Sequence, residues 1–161
     1  MIPESYLIRA SLKSTRDELA EVFPHITDDM LDWAPAPGMR TIQGQFVEIL
    51  GTEISIVEPL LNLPKRAYKD IDAELWRIKS ITGLIAKLEE VRNTTLELLT
   101  SLDEEGMNAG AVVSPGYASY LGLEFVSVSE MFRLIARHEA YHTGQLVSYL
   151  WARGNDPYSW D

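Results

Sequence analysis

Apolar residues recur at three- and four-residue steps through most of this chain, a spacing that suits helices with one buried stripe each. The first such stretch covers about residues 3–22, with Tyr6, Leu7, Ala10, Leu12, Leu19 and Val22 as its apolar members and Lys13, Arg16, Asp17 and Glu18 between them. Pro3 suits a first helical turn, and Pro24 stops the helix. Residues 27–33 read as a capped helical turn with Thr27 as N-cap, after which Pro35, Pro37 and Gly38 break the chain. Thr41 caps a second long helix over residues 42–60, carrying Ile42, Phe46, Ile49, Leu50, Ile54 and Val57, and Pro59 and Pro64 end it. Residues 65–78 are mixed and charged and read as a connector.

A third long helix starts at Ser80 or Thr82 and runs to about Leu102. Its stripe is Leu84, Ile85, Leu88, Val91, Thr95, Leu98 and Leu99, with Lys87, Glu89, Glu90 and Arg92 on the wet side. Residues 103–128 hold five glycines and prolines that mark a long loop, with a short extended piece at 123–128. Ser129 caps the last long helix, which ends at Arg153 with Gly154 placed as a C-cap. The expectation is an all-α four-helix bundle, with short extra helices and a long loop before the last helix, in a single domain over residues 1–161.

Charge narrows the partners. Lys and Arg number 14 against 24 Asp and Glu, a net charge of −10, which repels phosphate backbones and anionic lipid, so no nucleic acid and no membrane are expected. No stretch approaches a membrane span and the N-terminus lacks an apolar leader, so a cytoplasmic protein is expected. There is no cysteine. That removes a disulfide scaffold, a thiolate metal site and a cysteine nucleophile together.

Chemistry then falls to three histidines. His25, beside Pro24, reads as a plain surface residue. His138 and His142 stand at i and i+4 on the last helix, one above the other on a single face. They interrupt the apolar series Met131, Leu134, Ile135, Leu146 and Tyr149. Two imidazoles side by side on a core-facing stripe either share hydrogen-bond partners or ligate one divalent ion, and the spacing favours the ion.

His138-Glu-Ala-Tyr-His142 also matches H-E-x-x-H, in which Glu139 would be the general base of a zinc protease. The context is poor: Gln145 and Ser148 stand where the longer motif wants Gly and His, and no Glu follows Glu139. Glu139 reads better as a solvated or salt-bridged residue. A third ligand has to come from a facing helix. Glu48, between Val47 and Ile49, is an anomalous carboxylate in an apolar segment, with Glu53 and Glu58 as rivals. Two histidines and one carboxylate leave coordination positions open, as a reactive site requires. Gln45, Thr52 and Ser55 share a face with Glu48, and Tyr141 and Gln145 follow the histidines by three residues; these are candidates to brace a ligand or line a pocket, or simply to brace helix packing. Trp33, Trp76, Trp151 and Trp160 read as packing and contact residues.

The segment Leu31-Asp-Trp-Ala-Pro-Ala-Pro-Gly38, the helix after it, and the closing pattern His138-x-x-x-His142-x-Gly144-Gln145-Leu146-x-x-Tyr149-Leu150-x-x-x-Gly154 resemble the DinB/YfiT-like superfamily of metalloenzymes. The resemblance covers almost the whole chain. It implies a four-helix bundle, commonly a homodimer, with a three-histidine cluster holding a divalent metal, nickel or zinc. Two of those histidines correspond to His138 and His142. The position of the first falls on Glu48, so the resemblance implies either a Glu48–His138–His142 site or a degraded one in a non-catalytic bundle. A carboxylate ligand lowers the charge of the loaded site and softens the metal as a Lewis acid. The resemblance further implies a small-molecule substrate and a transferase or isomerase that uses a low-molecular-weight thiol such as bacillithiol, mycothiol or glutathione, activated as thiolate by the metal.

Overall fold

The computed structural model describes residues 2–113 and 115–160, and among these the chain is helical with a single isolated β-bridge. Seven α-helices follow in order: α1 (Glu4–Val22), α2 (Ile42–Leu60), α3 (Tyr68–Leu75), α4 (Ile81–Ser101), α5 (Glu104–Asn108), α6 (Pro115–Leu121) and α7 (Val128–Ala152). The four long ones, α1, α2, α4 and α7, form the bundle; α7 lies against both α1 and α2, and α2 also meets α3 and α4. No helix among the described residues is long and apolar enough to cross a membrane.

Local chemistry explains most helix ends. The Thr41 side chain accepts from the Gly44 amide and the Ser80 side chain from the Gly83 amide, so Ser80 and not Thr82 starts α4. The last helix is capped by Ser127, whose hydroxyl accepts from the Glu130 amide, two residues before the expected Ser129; Ser129 is buried within the first turn. At the other end Gly154, at φ +89°, donates to Trp151 O while Asn155 donates to Leu150 O. That is a Schellman closure, and only glycine adopts its φ without strain. Thr27 does flank the 3₁₀ turn Asp28–Met30, but its hydroxyl bonds the Asp29 carboxylate and caps no amide.

The two segments read as connectors carry helices. Within residues 65–78, α3 buries Ile71 and Leu75. Within 103–128, α5 is capped by Asp103 and α6 follows; the expected extended piece pairs back, Gly110 bridging antiparallel to Ser127. Such helices of five to eight residues escape a periodicity test because they offer barely two turns of stripe. In α1 the buried face is Ile8, Leu12, Leu19 and Val22, and the expected Tyr6, Leu7 and Ala10 are exposed.

The apolar core has two parts. One gathers Leu19, Phe46, Leu50, Leu84, Leu88 and Leu146; the other gathers Leu12, Val57, Leu98, Phe132 and Ile135. Between them, at the waist of the bundle, lies a layer of buried charge. Arg92, expected on the wet side of α4, is buried and donates to both oxygens of Glu53 at 2.8 and 3.1 Å and to Glu139 at 2.8 Å. Arg16 of α1 donates to Glu139 at 2.8 and 3.2 Å. Thr95 gives Glu53 a 2.6 Å bond and Thr15 gives Glu139 one of 3.1 Å. Spare guanidinium donors bond the Leu12 and Leu88 carbonyls. Glu53 and Glu139 are each 1% exposed, so the layer survives only because two positive and two negative groups cancel and nearly every lone pair is used. Burial alone would lower the Arg92 pKa; Glu53 and Glu139 outweigh it and hold it above its ordinary value.

Arg92→Met strands two buried carboxylates and is expected to lower the unfolding free energy by about 3–5 kcal/mol in urea denaturation. A loss under about 1 kcal/mol would show that water or Arg16 replaces it.

Candidate metal centre

The ionic layer uses one face of α2 and of α7, and a second polar group uses the adjacent face of the same helices. On α7, residues 138 and 139 are about 100° apart around the axis, so Glu139 enters the layer while His138 turns to α2. His142 follows one turn later and is buried. On α2, Gln45, Glu48 and Thr52 come at three- and four-residue steps and meet the two histidines.

The imidazoles converge on one point. His138 Nε2 and His142 Nε2 are 3.2 Å apart, with Thr52 Oγ1 at 3.5 Å from the former. Two metal–nitrogen bonds of about 2.0–2.1 Å at a tetrahedral angle place their nitrogens about 3.3 Å apart, so the pair already stands at coordinating distance. Glu48 completes a group whose ligand atoms lie within 4.8 Å of one another. His142 Nδ1 meets Gln45 Oε1 at 2.5 Å, and Gln45 Nε2 donates to the Tyr149 hydroxyl at 2.9 Å. Because the amide oxygen can only accept, Nδ1 carries the proton, and the Nε2 lone pair faces the convergence point. Burial and the neighbouring His138 push the His142 pKa down to about 4, against a smaller opposing pull from Gln145. Burial also lowers His138, with Glu48 opposing and Arg40 reinforcing the shift. The two rings are therefore neutral at pH 7, the form that binds metal.

Two residues not marked out from sequence border this group. Arg40, just before the Thr41 cap, donates to Glu48 at 2.7 Å. Tyr68 of α3 sits over Gly51, so closely that a Cβ there would come within 2.7 Å of its hydroxyl; burial and the Glu48 charge push its pKa up. Arg40 lies in a loop with no periodic pattern, and Tyr68 lies in a helix too short to detect.

The remaining candidates separate. Glu53 belongs to the ionic layer and Glu58 pairs with Arg66 at 2.6 Å, so neither rivals Glu48. Glu139 is spent on Arg16 and Arg92 and faces away from the histidines, which removes the base that H-E-x-x-H chemistry needs. Tyr141 is 63% exposed and edge-on to the His142 ring at 5.1 Å. With Leu121, Leu134, Arg137 and His138 it lines a cavity of about 730 Å³ beside the histidine pair. Ser55 bonds the Thr52 carbonyl and lines a different cavity with Ile56 and Pro59. His25 is not a plain surface residue: it stacks on Trp160 at 4.1 Å. Trp33 packs edge-on to Tyr149.

A model of the DinB superfamily matches residues 11–146, which hold α2 and both histidines of α7. The chain belongs to the DinB superfamily. A crystal structure of a protein from Streptococcus pneumoniae superposes on this DinB chain with a TM-score of 0.66, covering 98% of this chain and 93% of that one at 14% identity, a likeness of fold. No curated protein is significantly similar in sequence.

With His142 held near pH 4 in the native protein and near 6.5 when solvated, only the unfolded chain takes up this proton between those values. Metal-free protein should lose stability as pH falls from about 6.5 towards 4 and stay level on this account above 6.5. An NMR titration of His142 should give a midpoint near 4; one near 6.5 would show a solvated ring.

Proposed function

We propose that this DinB protein is a divalent-metal-dependent enzyme, with Glu48, His138 and His142 as ligands of nickel or zinc and a low-molecular-weight thiol as co-substrate in a transferase reaction. The observation that carries the reading is the His138–His142 pair: two neutral imidazoles, His142 buried and His138 half-buried, whose Nε2 atoms stand 3.2 Å apart, with the far nitrogen of one committed to Gln45. Neutral rings at that distance can share one N–H···N bond, and a cation bound between them would instead take the Nε2 lone pairs of both. The donor set of two nitrogens and one carboxylate oxygen suits a borderline divalent ion and leaves positions for substrate.

Within that reading each residue has a task. Gln45, braced by Tyr149, keeps His142 in the tautomer that presents Nε2. Glu48 brings the single negative charge that offsets part of the cation's. The cavity beside His138 is within the size range of small-molecule sites, and Leu121, Leu134 and Tyr141 give it apolar walls. Bound there, a divalent ion would lower the pKa of an incoming thiol and present it as thiolate. The chain has no cysteine of its own, so the sulfur has to arrive as co-substrate.

The Arg40–Glu48 ion pair favours a second reading, a DinB bundle that has exchanged its metal for an internal cation and lost its chemistry. Metal content separates the two. Untagged protein should carry near-stoichiometric nickel or zinc, or take it up on soaking, and His138→Ala/His142→Ala should carry none. At metal concentrations about 100-fold above Kd the linkage is about 2.7 kcal/mol, which for a chain of this size raises Tm by roughly 5–10 °C; His142→Ala should lose the rise. No metal after soaking would overturn the enzyme reading.

A further inference from the structure

We infer that Arg40 is a tethered counter-cation that competes with the metal for Glu48 and thereby sets the affinity of the site. The inference rests on the Glu48–His138–His142 assignment proposed above. Three observations carry it. Arg40 Nη2 lies 2.7 Å from Glu48 Oε1, so the carboxylate is already engaged by a positive charge at the group where the cation would bind. The reach is built into α2: Arg40 Cβ and Cγ pass 3.5 Å from where a Gly44 Cβ would stand, so the stem runs along the helix over Gly44 to a carboxylate one turn further on. Finally, the pair is made to open. The Arg40 side chain is 54% exposed and Glu48 22%, and Arg40 follows a turn through Gly38 at φ +83° and lies outside the regular helix.

A half-exposed ion pair is a weak one, whereas a divalent ion held by two imidazoles and a carboxylate is bound strongly. Arg40 therefore does not block the site; it subtracts from the net affinity. It also keeps Glu48 paired when no metal is bound. This arm differs from the ionic layer, where the Arg16 and Arg92 side chains are only 15% and 6% exposed.

The test is the affinity for Zn²⁺ and for Ni²⁺ alone, measured by calorimetry with a competing chelator on wild type, Arg40→Gln, Arg40→Lys and His142→Ala. Removing the charge in Arg40→Gln should tighten binding roughly tenfold or more, and Arg40→Lys, which keeps the charge, should stay near wild type. Unchanged affinity in Arg40→Gln would overturn the inference and leave the metal site standing. Weaker binding in Arg40→Gln would overturn it in favour of an arm that positions Glu48 for the metal. No binding by wild type and Arg40→Gln alike, or binding kept in His142→Ala, would overturn the underlying site assignment.

Discussion

The charge layer formed by Arg16, Glu53, Arg92 and Glu139 is the interaction on which the rest of the structure depends. It draws one residue from each of the four long helices. Burying four charges is costly unless all are paired at once. Sliding α2 or α7 by a turn would bury apolar carbon against the guanidiniums and leave two carboxylates among leucines. The two apolar clusters on either side would tolerate such a slip far better, because leucines and isoleucines interdigitate in many arrangements. We assign the layer a registry role: apolar burial drives the helices together, and the charges decide at what height they meet.

That height is what brings the histidines to Glu48. Residues 138 and 139 are neighbours in sequence and face different partners, and so do residues 52 and 53. Glu139 and Glu53 lock α7 and α2 to the arginines on one side; His138 and Thr52 meet on the other at 3.5 Å. Gln45 refines the alignment locally, since its short bond to His142 and its bond to Tyr149 close only at one rotation of α7 against α2. Two imidazole nitrogens 3.2 Å apart leave little room for error, and a structure that holds them there needs helices with a single register.

Legibility in the amino-acid sequence follows the same division. The long helices were readable because fifteen or more residues repeat one apolar period, and His138, His142 and Glu48 were readable because each breaks that period on a core-facing stripe. Arg92 was misread as solvated since a charge between Glu90 and Asn93 has the pattern of a wet face; nothing local says that two carboxylates from other helices await it. Glu53 and Glu139 were ambiguous for the same reason, because Arg92 lies 39 and 47 residues from them and Arg16 lies 37 and 123. The helices α3, α5 and α6 were too short to show a period. Arg40 and Tyr68 entered the site from segments that carry no pattern of their own.

The H-E-x-x-H string shows why register matters more than the letters. In a zinc protease the glutamate has to reach the water that the two histidines' metal would hold, so residues i, i+1 and i+4 must all serve one site. Here the bundle wraps α7 on two sides, and a step of about 100° per residue carries Glu139 to a different neighbour from His138. Its carboxylate is neutralised by two guanidiniums and sealed at 1% exposure. The same string of residues thus supplies two metal-competent nitrogens and one structural charge, and the carboxylate that meets those nitrogens, Glu48, comes from a helix some ninety residues earlier.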